Sequence, residues 1–113
     1  MSDCLFCRIV AGEVPATIVR ETPTTLAFRD IAPQAPTHVL VIPREHHDDL
    51  AALVEGSPDL AGPLFREAHA VAVAEGLVDS GYRVVVNIGH HGGQAVGHVH
   101  VHVLGGRQLG PLG

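Results

Sequence analysis

The chain has 113 residues, 46% of them hydrophobic and 4% aromatic, enough for a single domain (1–113) with a core of Val, Leu, Ile and Ala. A formal charge of −5, with no cluster of Lys or Arg, argues against a nucleic-acid partner. No apolar run approaches the ~20 residues of a membrane span, and Met1-Ser2-Asp3-Cys4 lacks the basic and apolar regions of a secretory signal, so a cytoplasmic location is expected.

The first chemical signal along the chain is Cys4-x-x-Cys7. In a reducing compartment that spacing points to metal or redox use rather than a structural disulfide. Residues 16–21 and 25–29 read as two short strands around the turn Glu21-Thr22-Pro23-Thr24. Pro33-Gln34-Ala35-Pro36 breaks the chain, and residues 38–42 form a continuous apolar strand closed by Pro43. Residues 48–54 suit a short helix.

Ser57-Pro58 has the pattern of an N-cap followed by a first-turn proline, and Leu60, Leu64, Ala68 and Val71 repeat at helical spacing. Gly62-Pro63 conflicts with that start, because an interior proline costs about 3 kcal/mol. The helix therefore begins at Pro63 or is distorted there, and Gly76 fits its C-terminal stop. Residues 82–88 read as a strand, followed by a glycine-rich loop over 89–97. No repeat or linker marks a boundary. Adjacent strands with short links predict an α+β fold, an antiparallel sheet of about five strands with one long helix packed on it.

Residues 97–106 carry the most information. His98, His100 and His102 alternate with Val99, Val101 and Val103, the period of a strand. The imidazoles are expected on one face, about 7 Å apart along the ladder, with the valines turned into the core. Other residues are less distinctive alone. Asp30 at a strand end reads as a cap, Gly92-Gly93 as a turn, and Leu5, Phe6, Ile9, Phe28 and Ile31 as core.

Taken together, these segments resemble the histidine-triad (HIT) family, in particular its nucleotide-binding branch. The resemblance rests on His98 to Leu104 as His-x-His-x-His followed by two apolar residues. It extends to Leu26-Ala27-Phe28-Arg29-Asp30-Ile31, Pro33-Gln34-Ala35-Pro36-Thr37-His38, Val41-Ile42-Pro43, Asn87, Gly92-Gly93-Gln94 and Gly105-Gly106-Arg107-Gln108. The resemblance implies a hydrolase that cleaves purine nucleoside phosphoramidates or related nucleotidyl esters at the α-phosphorus. Its catalytic residues are then His98, His100 and His102, with His100 as nucleophile and His102 as a donor to phosphate oxygen. Asn87 contacts the phosphate or the ribose, the loop residues Gly93, Gln94, Ala95 and Val96 face the phosphate, Asp30 binds the ribose, and Leu5, Phe6, Ile9, Phe28 and Ile31 hold the base. Ala95 stands where many members carry serine, which removes a hydroxyl near the leaving group. A purine nucleoside monophosphate or its conjugate is the implied ligand. A homodimer whose two sheets join into one layer is the implied assembly.

The resemblance also implies a structural zinc, since several bacterial-type members bind it through residues matching Cys4, Cys7, His46 and His98. Two thiolates and two imidazoles make a closed tetrahedral set. A redox use is less favoured, because no strand precedes Cys4. His47 is expected at the surface, His38 beside the triad, and His69, His90 and His91 on surface or loop. Two alternatives remain. One is a catalytic metalloenzyme with the histidine ladder as an open zinc site. The other, favoured by Ala95, is a zinc-stabilised nucleotide-binding protein with little or no turnover.

Overall fold

The computed structural model describes residues 2–112. Five strands form one antiparallel sheet in the order β1-β2-β3-β5-β4: β1 (Ile18–Glu21), β2 (Thr25–Arg29), β3 (Thr37–Pro43), β4 (Tyr82–Val85) and β5 (Val101–Gly105). Three helices accompany it: α1 (Leu5–Val10), α2 (Leu50–Gly56) and α3 (Ala61–Ala74). This is the α+β architecture expected from the sequence. Among the described residues no helix is long and apolar enough to cross a membrane.

β3 is buried along its whole length because it runs through the middle of the sheet with apolar layers on both faces. On one face Ala27, Val39, Val41, Val101 and Val103 pack under Leu64, Ala68, Val71 and Ala72 of α3. On the other, Leu26, Phe28, Leu40 and Ile42 pack against Phe6 and Ile9 of α1. Period-two alternation thus sends the valines beside the histidines toward α3, and the opposite face is left for chemistry.

Several local expectations are corrected. α1 was not anticipated; it is one and a half turns long, and the Cys4 sulfur caps it by accepting from the Cys7 N–H at 3.4 Å. α2 starts two residues later than expected, because the Asp49 carboxylate takes the cap role and accepts from Ala52 N–H at 2.8 Å. Ser57 makes no side-chain cap; its hydroxyl donates to Glu45 instead, and Pro58 opens a 3-10 turn over Pro58–Leu60. Pro63 resolves without a kink. It falls in the first turn of α3, where the backbone N–H groups have no helical partner to lose. Gly76 has φ 71°, as a helix stop requires.

β1 and β4 are each shorter than their expected segments. The histidine strand also begins late. Its last ladder pair with β3 is Val41 with Val101, and Pro43 then has no N–H to offer a partner. Val99 N–H donates instead to the His47 carbonyl at 2.9 Å. His98 and His100 therefore both lie outside the ladder, and His102 alone of the three stands in it, opposite Leu40.

Candidate active site

That break separates the three histidines. His98 is fully buried and turns toward the N-terminus, while His100 and His102 open onto a cavity on the α1 face. Their ring centroids are 4.9 Å apart and tilted by 62°, nearer than the ~7 Å between alternate backbone positions of a strand.

The proton positions follow from two backbone groups, a carbonyl that can only accept and an N–H that can only donate. The His98 carbonyl accepts from His100 Nδ1 at 2.8 Å, so the neutral ring keeps a bare Nε2. Gln34 N–H donates to His38 Nδ1 at 3.1 Å, which puts the proton of His38 on Nε2. His38 Nε2 then donates to His102 Nδ1 at 2.9 Å, so His102 bears its own proton on Nε2. The result is a lone pair on one ring beside an N–H on the next. Burial holds His102 neutral, pushing it down to about 4; the neighbouring His100 and His38 act in the same direction and Asp30 opposes them. Burial also lowers His38, against an opposing pull from Asp30, whose Oδ2 is 3.5 Å from His38 Nε2.

The cavity has a volume of about 330 Å³. His100, His102 and Asp30 contribute its polar edge, and Leu5, Phe6, Ile9, Phe28 and Ile31 all line it, as do Ala95 and Val96. Phe6 stands edge-on to His100 at 5.2 Å and to Phe28 at 5.3 Å. Asp30 Oδ1 accepts from Ala32 N–H at 2.8 Å. Val14, Pro15, Ala16, Leu40 and Arg29, whose guanidinium is paired with Glu75, complete the lining and were missed, since residues isolated in sequence carry no positional signal.

Asn87, Gly93 and Gln94 do not line this cavity. Asn87 donates to the Gly92 carbonyl at 2.8 Å, and a Cβ at Gly92 would collide with the Ile88 carbonyl, so both residues shape the loop. Gln94 accepts from Gly89 N–H at 2.9 Å and donates to the carbonyls of Asp48 and Val96. His47 also departs from expectation: its side chain is only 12% exposed and lies 3.3 Å from Glu45. His69, His90 and His91 are at the surface.

Beside the cavity, Cys4, Cys7, His46 and His98 bring four donor atoms within 4.8 Å of one another. The Cys4 sulfur is 3.4 Å from His98 Nδ1, the Cys7 sulfur is 3.3 Å from His46 Nδ1, and the two Nδ1 atoms are 3.2 Å apart. Tetrahedral zinc with ordinary bond lengths needs edges of about 3.3 to 3.8 Å. The proton positions favour a cation more directly. His98 Nε2 donates to the Pro43 carbonyl at 2.9 Å and His46 Nε2 to Asp48 at 2.8 Å. With Nε2 of each ring so engaged, both Nδ1 atoms face the two cysteine sulfurs and each other, the donor arrangement in which two imidazoles and two thiolates hold one cation. Burial pushes His98 down to about 4, which keeps its ring in the ligating form. Asp48, which orients His46, is a further residue the sequence did not disclose.

Asp30, His38 and His102 form a second cluster of this kind. Its 2.9 Å nitrogen separation and the committed His38 proton mark it as a hydrogen-bonded chain.

The HIT domain model matches residues 11–109, and the chain belongs to the HIT family. It is 40% identical over 110 residues to the purine nucleoside phosphoramidase of Escherichia coli K12, covering 97% of this chain and 92% of that protein. It is 49% identical over 110 residues to the 14 kDa zinc-binding protein of Zea mays, covering 96% and 85%. The crystal structure of a HIT family hydrolase from Legionella pneumophila is similar at a TM-score of 0.90 and 49% identity, over 94% of this chain and 95% of that one.

Proposed function

We propose that this protein hydrolyses purine nucleoside phosphoramidates, or related nucleotidyl esters, through a nucleotidyl intermediate on His100. The observation that carries the reading is the contact of His100 Nδ1 with the His98 carbonyl, which leaves Nε2 of the neutral ring free to attack, on the lining of a cavity with an apolar wall, the Asp30 carboxylate and Arg29. The base packs against Phe6, Phe28, Leu5, Ile9 and Ile31, and Asp30 accepts from the ribose hydroxyls. His100 Nε2 attacks the α-phosphorus, the bond to the leaving amine breaks, and that amine takes its proton from water, since Ala95 offers no hydroxyl. The positive charge gained by the ring is stabilised at Nδ1, whose proton already faces a carbonyl. His102 donates its Nε2 proton in a hydrogen bond to a phosphate oxygen, offsetting charge that shifts in the transition state. Water then attacks phosphorus, the P–N bond to His100 breaks, and the nucleoside monophosphate leaves. The similarity to a purine nucleoside phosphoramidase supports both substrate class and reaction.

Zinc at Cys4, Cys7, His46 and His98 would supply a closed, structural cross-link with no open position for substrate. The zinc-binding relative from Zea mays supports this assignment. The expected stoichiometry is about one zinc per chain; protein prepared without chelator and free of zinc would contradict it. A homodimer is part of the same reading. β4 lies at a sheet edge with Val84 at 39% exposure, and edge pairing would continue the sheet into a second copy.

The test is hydrolysis of adenosine 5′-phosphoramidate by the wild-type chain and by His100→Gly. Loss of turnover with AMP binding retained is the expected result, and equal activity in the variant would overturn the assignment. Ala95, on the cavity wall where a hydroxyl is missing, favours a second reading as a zinc-stabilised nucleotide-binding protein with little turnover. AMP binding by the wild type without measurable hydrolysis would select it.

A further inference from the structure

Three separate connections run from the Cys/His cluster to the nucleotide cavity. The first passes through His98. Its ring faces Cys4, Cys7 and His46, and its own carbonyl holds the Nδ1 proton of His100. The second passes through α1. Cys4 and Cys7 sit at its start, and Leu5, Phe6 and Ile9 on the same six residues form part of the cavity wall. A helix this short has no stability of its own in water, so its placement depends on what its ends are tied to. The third passes through His46. Asp48 bonds His46 through its carboxylate, and its carbonyl accepts from Gln94 at 2.6 Å; Gln94 also bonds Val96, next to Ala95 on the cavity wall.

We propose that Cys4 and Cys7 are positioning residues for the nucleotide site: by joining His98 and His46 in one metal centre, they fix the carbonyl that orients His100 and the α1 wall that receives the base. The inference rests on the reading of His100 and the α1 wall as the nucleotide site. It goes beyond that reading in making metal occupancy a determinant of nucleotide affinity and of the proton position on His100.

The geometry also says what must not move. The chain from Gln34 N–H through His38 to His102 runs through the loop before β3, β3 itself and β5, and includes no member of the Cys/His cluster. Removing the metal should therefore loosen His100 and the α1 wall while leaving the His38–His102 pair as it is. A metal needed only for folding would release both together.

The experiment uses the full chain loaded with zinc, the same protein after chelation, and the Cys4→Ser/Cys7→Ser double variant. Far-UV circular dichroism monitors the fold, calorimetry measures AMP affinity, and nitrogen-15 spectra of the histidine rings report which nitrogen carries each proton. Chelation and the double variant are both expected to weaken AMP binding by about tenfold or more, the usual scale of supporting-shell effects. The His100 ring is expected to change from a single Nδ1-protonated form to a mixture, with the His102 signals unchanged. Unchanged AMP affinity and an unchanged His100 ring would overturn the inference, as would a chain that takes up no zinc. Simultaneous loss of the His38 and His102 signals would overturn it in favour of a purely structural metal. If neither state binds AMP but the His100 ring still responds to zinc, the positioning link stands and the nucleotide reading falls.

Discussion

His38 is the residue whose contribution is easiest to isolate. It touches no atom of the proposed reaction, yet its bonds to Gln34 N–H and His102 determine where the His102 proton lies. Replacing His38 by Leu removes that constraint while keeping an apolar filler in a buried position. kcat on the phosphoramidate is expected to fall by at least about tenfold, with AMP affinity little changed, because a wrong tautomer disables proton donation without closing the cavity. Equal losses in kcat and AMP affinity would show that the side chain acts by packing alone. Acid sensitivity belongs to the same pair. Burial depresses both rings below their unfolded value of 6.5, His102 to about 4, so the folded state binds fewer protons than the unfolded one. Their contribution to stability is complete above pH 6.5 and is lost as pH falls through the window down to about 4. Thermal melts from pH 7.5 to 4.5 should show a steeper decline for the wild type than for His102→Gln; identical slopes would remove His102 from the explanation. At Ala95, substitution by Ser restores a hydroxyl on the cavity wall and is expected to raise kcat. An unchanged rate would mean that the leaving group obtains its proton elsewhere.

The elements that were readable in advance are those whose neighbours impose a period. β3 is a continuous apolar run because it is covered on both faces, and α3 shows helical spacing because one face packs on the sheet. Valine alternation in β5 marked the face away from the chemistry. What could not be read is held by contacts distant in sequence. α1 is too short for periodicity, and its position comes from Phe6 packing on Phe28 and from its two cysteines near His46 and His98. The divergence of His98 from His100 and His102 was hidden for a related reason: the ladder ends at Val101, and the His98 ring is then held by the Pro43 carbonyl on a different strand. Among site residues, the motif disclosed the imidazoles and the cluster ligands. Asp48 and the protons on His38 and His102 needed the geometry. Phe6→Ala tests α1 directly. Phe6 is 4% exposed and contacts the rings of Phe28, His98 and His100. Its truncation is expected to destabilise the chain by about 3 kcal/mol and to weaken AMP binding, measured by denaturant unfolding and calorimetry. Full stability with unaltered AMP affinity would remove the ring from the base wall.

At the scale of the molecule, the sheet divides structural from chemical work. The α3 face holds a valine- and alanine-rich core, whereas the α1 face carries the aromatic wall, His38, His100, His102 and the Cys/His cluster. The open edge at β4, with Val84 half exposed and Ile88 at 46%, suits addition of a second copy. Light scattering of the purified chain is expected to give the mass of a dimer, and a monomer at all concentrations would contradict that assembly. The central claim concerns a single nitrogen. Rapid quenching of turnover on adenosine 5′-phosphoramidate, followed by mass analysis of the peptide containing residues 97–106, tests it most directly. An adenylyl group on His100, absent from His100→Gly, is the expected result; steady turnover with that peptide always unmodified, or modified at His98 or His102, would contradict it.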